Sequence, residues 1–221
     1  MKKLVVALVV VAVLGFVGDR VAARLAAGRA ESELVSRGVS DPHVVIHGFP
    51  FVTQALRKQF RHVTVTASAV HRGDLSAQDV HADLRDVRVT SSSTGTAAEV
   101  TADGLVPWSA IAAVANLPVT LSAGPDGTVR ITGGVQVLGQ TLSVTADATL
   151  AVVGAQIVLR PTQVALAAGG ALDAVLAGPV ERELSLTYPI RGLPSGVHVT
   201  SLTAEQAGVR AHLAASDVAV S

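Results

Sequence analysis

Apolar and polar residues alternate with a period of two along most of the chain from Val44 onward, the spacing of half-buried β-strands. Val63, Val65, Ala67 and Ala69 lie on one side of such a strand, with His62, Thr64, Thr66 and Ser68 on the other. Val80, Ala82 and Leu84 hold one phase and Val87 and Val89 the opposite one, which predicts a bulge or bend near Arg85 and Asp86. Leu117, Val119 and Leu121 predict a short strand, and Val129, Ile131, Val135 and Val137 a longer one broken at Gly133-Gly134. Leu142, Val144, Ala146, Ala148 and Leu150 follow a hairpin marked by Gly139. Ile157, Leu159, Val164 and Leu166 change phase around Pro161, and Val197, Val199, Val209, Ala211 and Leu213 carry the alternation to the end. The polar run at residues 90–96, TSSSTGT, predicts a hairpin tip.

Two internal segments break this pattern. PWSAIAAVA, from Pro107, predicts a short helix with proline at its first position. ALDAVLAGPVEREL puts Leu172, Val175, Leu176, Val180 and Leu184 on one helical stripe, with a break expected at Gly178-Pro179. At the N-terminus, two lysines precede an apolar run from Leu4 to Val17 and then Asp19, the order of a secretory signal. As a helix that run spans about 21 Å, short of the roughly 30 Å hydrocarbon core of a bilayer. Small residues at Val21-Ala22-Ala23 offer a cleavage site, so residues 1–23 read as a signal peptide or a short membrane anchor. Either places the body outside the cytoplasmic membrane. A further helix is expected from Asp19, as cap, to the cationic last turn and glycine stop at Arg37-Gly38. No linker divides residues 24–221, which form one domain.

The expected fold is therefore α+β: a curled antiparallel sheet of many strands, with two or three helices. Repeated bulges curl a sheet, and here the concave face carries slim valine, leucine and alanine side chains. Such a face is either packed solid or leaves an apolar groove.

Composition narrows the function. The 221 residues contain no cysteine, which excludes disulfides, thiolate metal sites and a cysteine nucleophile. Beyond Ala23 the chain has 14 basic and 16 acidic residues, a balance that argues against nucleic acid as a partner. With four Phe, one Trp and one Tyr, aromatic platforms for sugars are scarce. No G-x-S-x-G, H-E-x-x-H, P-loop or G-x-G-x-x-G occurs, so no enzyme class and no cofactor is indicated. His43 and His47 on one strand stand roughly 13 Å apart, too far to share an ion. His62, His71 and His81 fall among polar residues and read as a solvated sheet face.

Two of the three phenylalanines beyond the leader flank Pro50 in HGFPFVTQ, residues 47–54. In an extended Phe49-Pro50-Phe51 segment the rings point to opposite sides, so one seals the core while the other reaches a groove mouth or a bilayer, unless both plug the core. Trp108 has the same two options. RKQFRH, residues 57–62, gathers Arg57, Lys58 and Arg61 without an acid: a solvated turn, or a landing patch for anionic headgroups.

The segment VVIHGFPFVTQALRKQFRHVTVTASAV, with Gly48 to Gln54 as its specific element, resembles the LmeA-like phospholipid-binding family of high-GC Gram-positive bacteria. LTYPIRGLPSGVHVTSLTAEQAGVRAHLAASDVAV, with its turn at Leu193 to Gly196, resembles the same family, and the likeness covers nearly the whole chain. It implies an envelope protein with an elongated, strongly curled antiparallel sheet packed around an N-terminal helix, with one or two short helices, a half-barrel fold similar to tubular lipid-binding (TULIP-like) domains, which hold acyl chains in an apolar groove. It implies no catalytic residues. On this reading Phe49, Pro50, Phe51, Val52, Trp108, Leu172, Val175, Leu176 and Leu193 contact lipid, and Arg57, Lys58 and Arg61 contact headgroups or membrane. The expected partner is an anionic phospholipid at a membrane surface. A structural or protein-binding β-domain with a solid core is the alternative.

Overall fold

The computed structural model describes residues 2–220 except 73–74, 91–93, 116–118, 138–139, 169–173, 191–192 and 194. Leu117, Gly139, Leu172 and the centre of the 90–96 loop fall outside the described residues, as does the side chain of Val175. The chain is α+β, with two antiparallel sheets.

Helix α1 (Lys2–Ser36) is followed by the short strands β1 (Val39–Ser40) and β2 (His43–His47) and by α2 (Phe51–Arg57). The long strands β3 (Gln59–Arg72), β4 (Leu75–Val89) and β5 (Gly95–Pro107) come next, then α3 (Trp108–Ala115). A second run comprises β6 (Val119–Ala123), β7 (Val129–Val137), β8 (Gln140–Val153) and β9 (Gln156–Leu166). Helix α4 (Ala174–Leu184), β10 (Leu186–Pro189), β11 (Val197–Glu205) and β12 (Gly208–Val220) complete the chain. The first sheet has the order β1-β3-β4-β5-β12-β11, with β2 also on β3; the second has the order β10-β9-β8-β7-β6. The C-terminal hairpin thus returns to the first sheet and closes it against β5.

The bends fall where the apolar phase changes. Asp86 takes a left-handed φ of 49°, at the predicted turn in phase on β4. Asp79, φ 47°, marks a bulge between Gln78 and His81 that the periodicity did not reveal. On β9 the register against β8 slips beside Pro161, as the phase change there predicts. Aspartate tolerates the left-handed region better than β-branched residues do, so the chain curls at aspartates set among valines and alanines.

Three expectations are corrected. Strand β7 is not broken at Gly133-Gly134; both glycines pair with β8, and a Cβ at Gly134 would lie 3.0 Å from Thr141 Cγ2. Gly134 there permits close approach rather than a turn. Helix α4 likewise runs through Pro179. Val180 and Leu184, immediately beyond it, are fully buried in the curled second sheet. Burying two such side chains is worth about 1.5–3 kcal/mol each, which offsets the roughly 3 kcal/mol cost of an interior proline. The third concerns Asp19, which does not start a helix: α1 is continuous from Lys2 to Ser36. Its stop is as expected, with Gly38 at φ 87°. Among the described residues no helix is long and apolar enough to cross a membrane.

The main core lies in the second sheet. Val129, Ile131, Val135, Val144, Ala146 and Ala148 line its concave face around Val180 and Leu184 of α4. Helix α1 packs on the edge of the first sheet, where Ala23 and Ala27 are buried. Small residues let it approach β2 and α2 closely.

Candidate functional site

Two hollows stand out, and they differ in chemistry. The first surrounds the loop between β2 and α2. Gly48 has φ 97°, and a Cβ there would sit 2.8 Å from Gln54 Nε2, so only glycine fits. The Phe49–Pro50 peptide is cis. Phe51 is not in an extended segment, as expected from sequence, but is the first residue of α2. The divergence of the rings survives that correction: Phe51 is 6% exposed and stacks on Phe60, whereas Phe49 is 59% exposed. Thr53 Oγ1 donates to the Pro50 carbonyl at 2.9 Å. Gln54 Nε2 donates to the His47 carbonyl at 3.2 Å, and its Oε1 accepts the Arg61 amide at 3.1 Å. Thr53 thereby braces the loop internally, and Gln54 ties it to the end of β2 and the start of β3.

Helix α1 completes this corner. Asp19 is 4% exposed, and its Oδ1 accepts the Val52 amide at 2.9 Å. Pro50, at the N-cap position of α2, supplies no side-chain cap, so Asp19 caps α2 from another helix. Desolvation pushes its pKa up, but the Phe51 and Val52 amides and the neighbouring Arg20 outweigh this and hold the carboxyl below its usual range. Arg20 Nη2 donates to the Gly48 carbonyl at 2.6 Å and to Asp19 at 3.2 Å. Its guanidinium stands 5.6 Å from the Phe16 ring and 5.7 Å from that of Phe49, two rings whose centroids are 5.4 Å apart.

The cleft beside this corner has a volume of about 400 Å³ and is lined by Phe49, Pro50, Arg57, Arg61, Asp86 and Arg88 with their neighbours. Among the described residues none of the three guanidiniums has an ion-pair partner, and one carboxylate shares the space. Lys58 adopts φ 52° to end α2 and does not line the cleft.

Next to it, the histidines form a solvated face. His62 Nε2 and Thr64 Oγ1 meet Asp83 Oδ1 at 2.6 and 2.8 Å, and His81 meets Oδ2 at 2.9 Å. The His47 ring stacks on that of His62 at 4.3 Å. His62, Thr64 and His81 together hold the Asp83 carboxyl far below the ordinary carboxylate range. No cluster able to hold a metal ion is found among the described residues.

The second hollow lies between the sheets, with a volume of about 160 Å³. Val106, Val209 and Leu202 from the first sheet face Leu150, Leu159 and Leu186 from the second, and Trp108 and Ile111 of α3 close one side. Trp108 is half-buried, with its indole N–H donated to the carbonyls of Glu205 and Gln206 at 3.2 Å. It belongs to the cavity wall.

The two hollows are far apart. Arg88 pairs with Thr96 near one end of β5, and Val106 sits near the other, ten residues or roughly 33 Å along the strand. Of the residues singled out from sequence, Phe49, Pro50, Arg57 and Arg61 gather in the cleft. Phe51 lies beneath it, and Val52 points outward from α2. Among the described ones, Trp108 alone reaches the cavity. Leu176 packs on the second-sheet core, and Leu193 is half-buried and lines neither hollow. Sequence reasoning missed Arg88, Asp19 and Arg20 and most of the cavity wall. Alternation marks wall residues such as Leu150 and Ile157 as inward-facing, but it does not say that a second sheet stands opposite them.

An apolar cavity between the two sheets and a cationic cleft at the distant end are thus the two hollows of this α+β fold. The family model for LmeA-like phospholipid-binding proteins matches residues 17–214, and the chain belongs to that family. No curated protein matches the chain.

Proposed function

We propose that the protein is a non-enzymatic lipid carrier of the cell envelope, holding a phospholipid by its acyl chain between the two sheets. The observation that carries this is the cavity wall, 14 residues that are all aliphatic or aromatic. An apolar cavity near this size stays dry and accepts an apolar guest as large as benzene. It therefore takes the last ~6 carbons of a tail, worth about 5 kcal/mol at ~0.8 kcal/mol per methylene. Admitting more of the tail requires the sheets to part where β11 meets β8 and β6. The wall carries no carboxylate, imidazole or thiol to act on a bound lipid.

Arg57 and Arg61, with Lys58 on their flank, meet anionic headgroups at a membrane surface, each cation contributing about 1 kcal/mol near such a surface. Because the cleft and the cavity lie at opposite ends of β5, roughly 33 Å apart along the strand, these contacts are made with membrane lipid and not with the headgroup of the lipid being carried. The body acts outside the cytoplasmic membrane, with residues 1–23 directing or anchoring it and residues 24–221 binding lipid.

The test is native mass spectrometry of the protein purified from its own cells. A mass increment equal to a phospholipid is expected. A bare protein that takes up no phospholipid from vesicles would identify a solid structural or protein-binding β-domain instead, and release of free fatty acid would identify an enzyme.

A further inference from the structure

We infer that the N-terminal helix stays on the mature protein, and that the corner it builds with α2 is the face set against an anionic bilayer. This rests on the lipid-handling reading above and adds to it a processing outcome and an orientation.

Cleavage after Ala23 would remove Asp19 and Arg20. Asp19 is the one buried charged side chain among the described residues, and it caps α2 where Pro50 leaves the first turn without a side-chain cap. Arg20 is the donor to the Gly48 carbonyl and the cation between Phe16 and Phe49. A signal peptide is discarded and has no reason to be built into the body. Here residues 16–20 form one side of the loop that carries the cleft, and the family match itself begins at residue 17, ahead of that cut.

The same corner exposes apolar side chains that nothing in the fold covers. Val13, Phe16 and Val17 on α1 stand exposed, as do Phe49, Val52 and Leu56 around α2. Val52 and Leu56 are four residues apart and share the outward side of α2, where Leu56 is 80% exposed. Arg57, Arg61 and Arg88 stand beside them with no ion-pair partner among the described residues. An apolar centre with a cationic flank matches the interface of an anionic membrane, where rings and aliphatics enter the acyl boundary and guanidiniums meet phosphates. The continuity of α1 points to the same occupant, because the apolar run of residues 4–17 belongs to the helix that carries Asp19 and Arg20.

The absence of cysteine allows single-site labelling of the full chain. Leu56→Cys and, on the β8–β9 hairpin, Val153→Cys each receive an environment-sensitive fluorophore and are mixed with vesicles containing phosphatidylglycerol. A blue shift with rising emission is expected at position 56 and none at position 153, together with an intact mass from the native host that retains residues 16–23. A mature chain beginning at or beyond Val21 overturns the proposal. So does a response at position 153 but not at 56, silence at both, or a shift at 56 without vesicles that tracks protein concentration, which would mean a second copy covers the face. Phospholipid found on a chain that begins at Arg24 would leave the carrier reading standing and remove this one. Docking by a retained helix without any carried lipid would do the reverse.

Discussion

Asp19 sits in the middle of one helix and serves the first turn of another. Replacing it with alanine leaves the amides of Phe51 and Val52 without their acceptor and Arg20 without a counter-charge, so Asp19→Ala is expected to lower Tm. Faster hydrogen exchange confined to residues 51–57 would locate the loss in α2. The Asp83 carboxylate makes a second residue-scale prediction. Its folded pKa lies below the ordinary value of 3.8, so its contribution is complete above that pH and is lost as pH falls through the folded value. Asp83→Asn is expected to cost about 1–2 kcal/mol at neutral pH, a difference that shrinks below pH 3.8 in urea titrations across the acid range. Legibility at this scale depended on how local the interaction is. The GFPFVTQ element declared itself because its bonds are local: Thr53 reaches back to Pro50, and Gln54 to the adjacent strand ends at His47 and Arg61. Asp19 and Arg20 did not, because their partners lie 33 and 28 residues along the chain and no spacing rule connects them.

Most elements were legible in the alternation, since a sheet with one buried face leaves a period of two. The bends at Asp86 and Pro161 were legible for the same reason. The misreadings at Gly133-Gly134 and Pro179 arose because a glycine pair or a proline weakens an element locally, whereas burial of Val144 opposite Gly133, or of Val180 and Leu184, decides whether the element persists. Val180→Ala is therefore expected to destabilise the protein by about 2–3 kcal/mol in chemical denaturation. At the cleft, charge reversal separates the cations by their positions. Arg57→Glu and Arg88→Glu should weaken sedimentation with anionic vesicles by several-fold each, and high salt should erase the difference. Lys58→Ala should change it less, because that side chain does not line the cleft.

At the scale of the molecule, the proposed function is divided between the two hollows. The cationic corner occupies one end of the first sheet, with α1 running from it along the sheet edge, and the apolar cavity lies roughly 33 Å along β5. On the proposed function, a protein held to a bilayer by the first end would present the cavity away from that bilayer. This arrangement was not legible in the sequence. The alternation marks inward-facing residues, but it does not say that the chain splits into two sheets or that β11 and β12 return to the first. Filling the cavity with a bulky ring at Ala211→Trp should abolish lipid uptake while leaving vesicle sedimentation intact. The most direct measurement is photocrosslinking of a phospholipid carrying a diazirine near the end of its acyl chain, followed by peptide mapping. Adducts on the peptides carrying Trp108, Leu150 or Leu202 are the predicted result. Adducts confined to the Phe49–Arg61 segment, or none at all, would contradict the account.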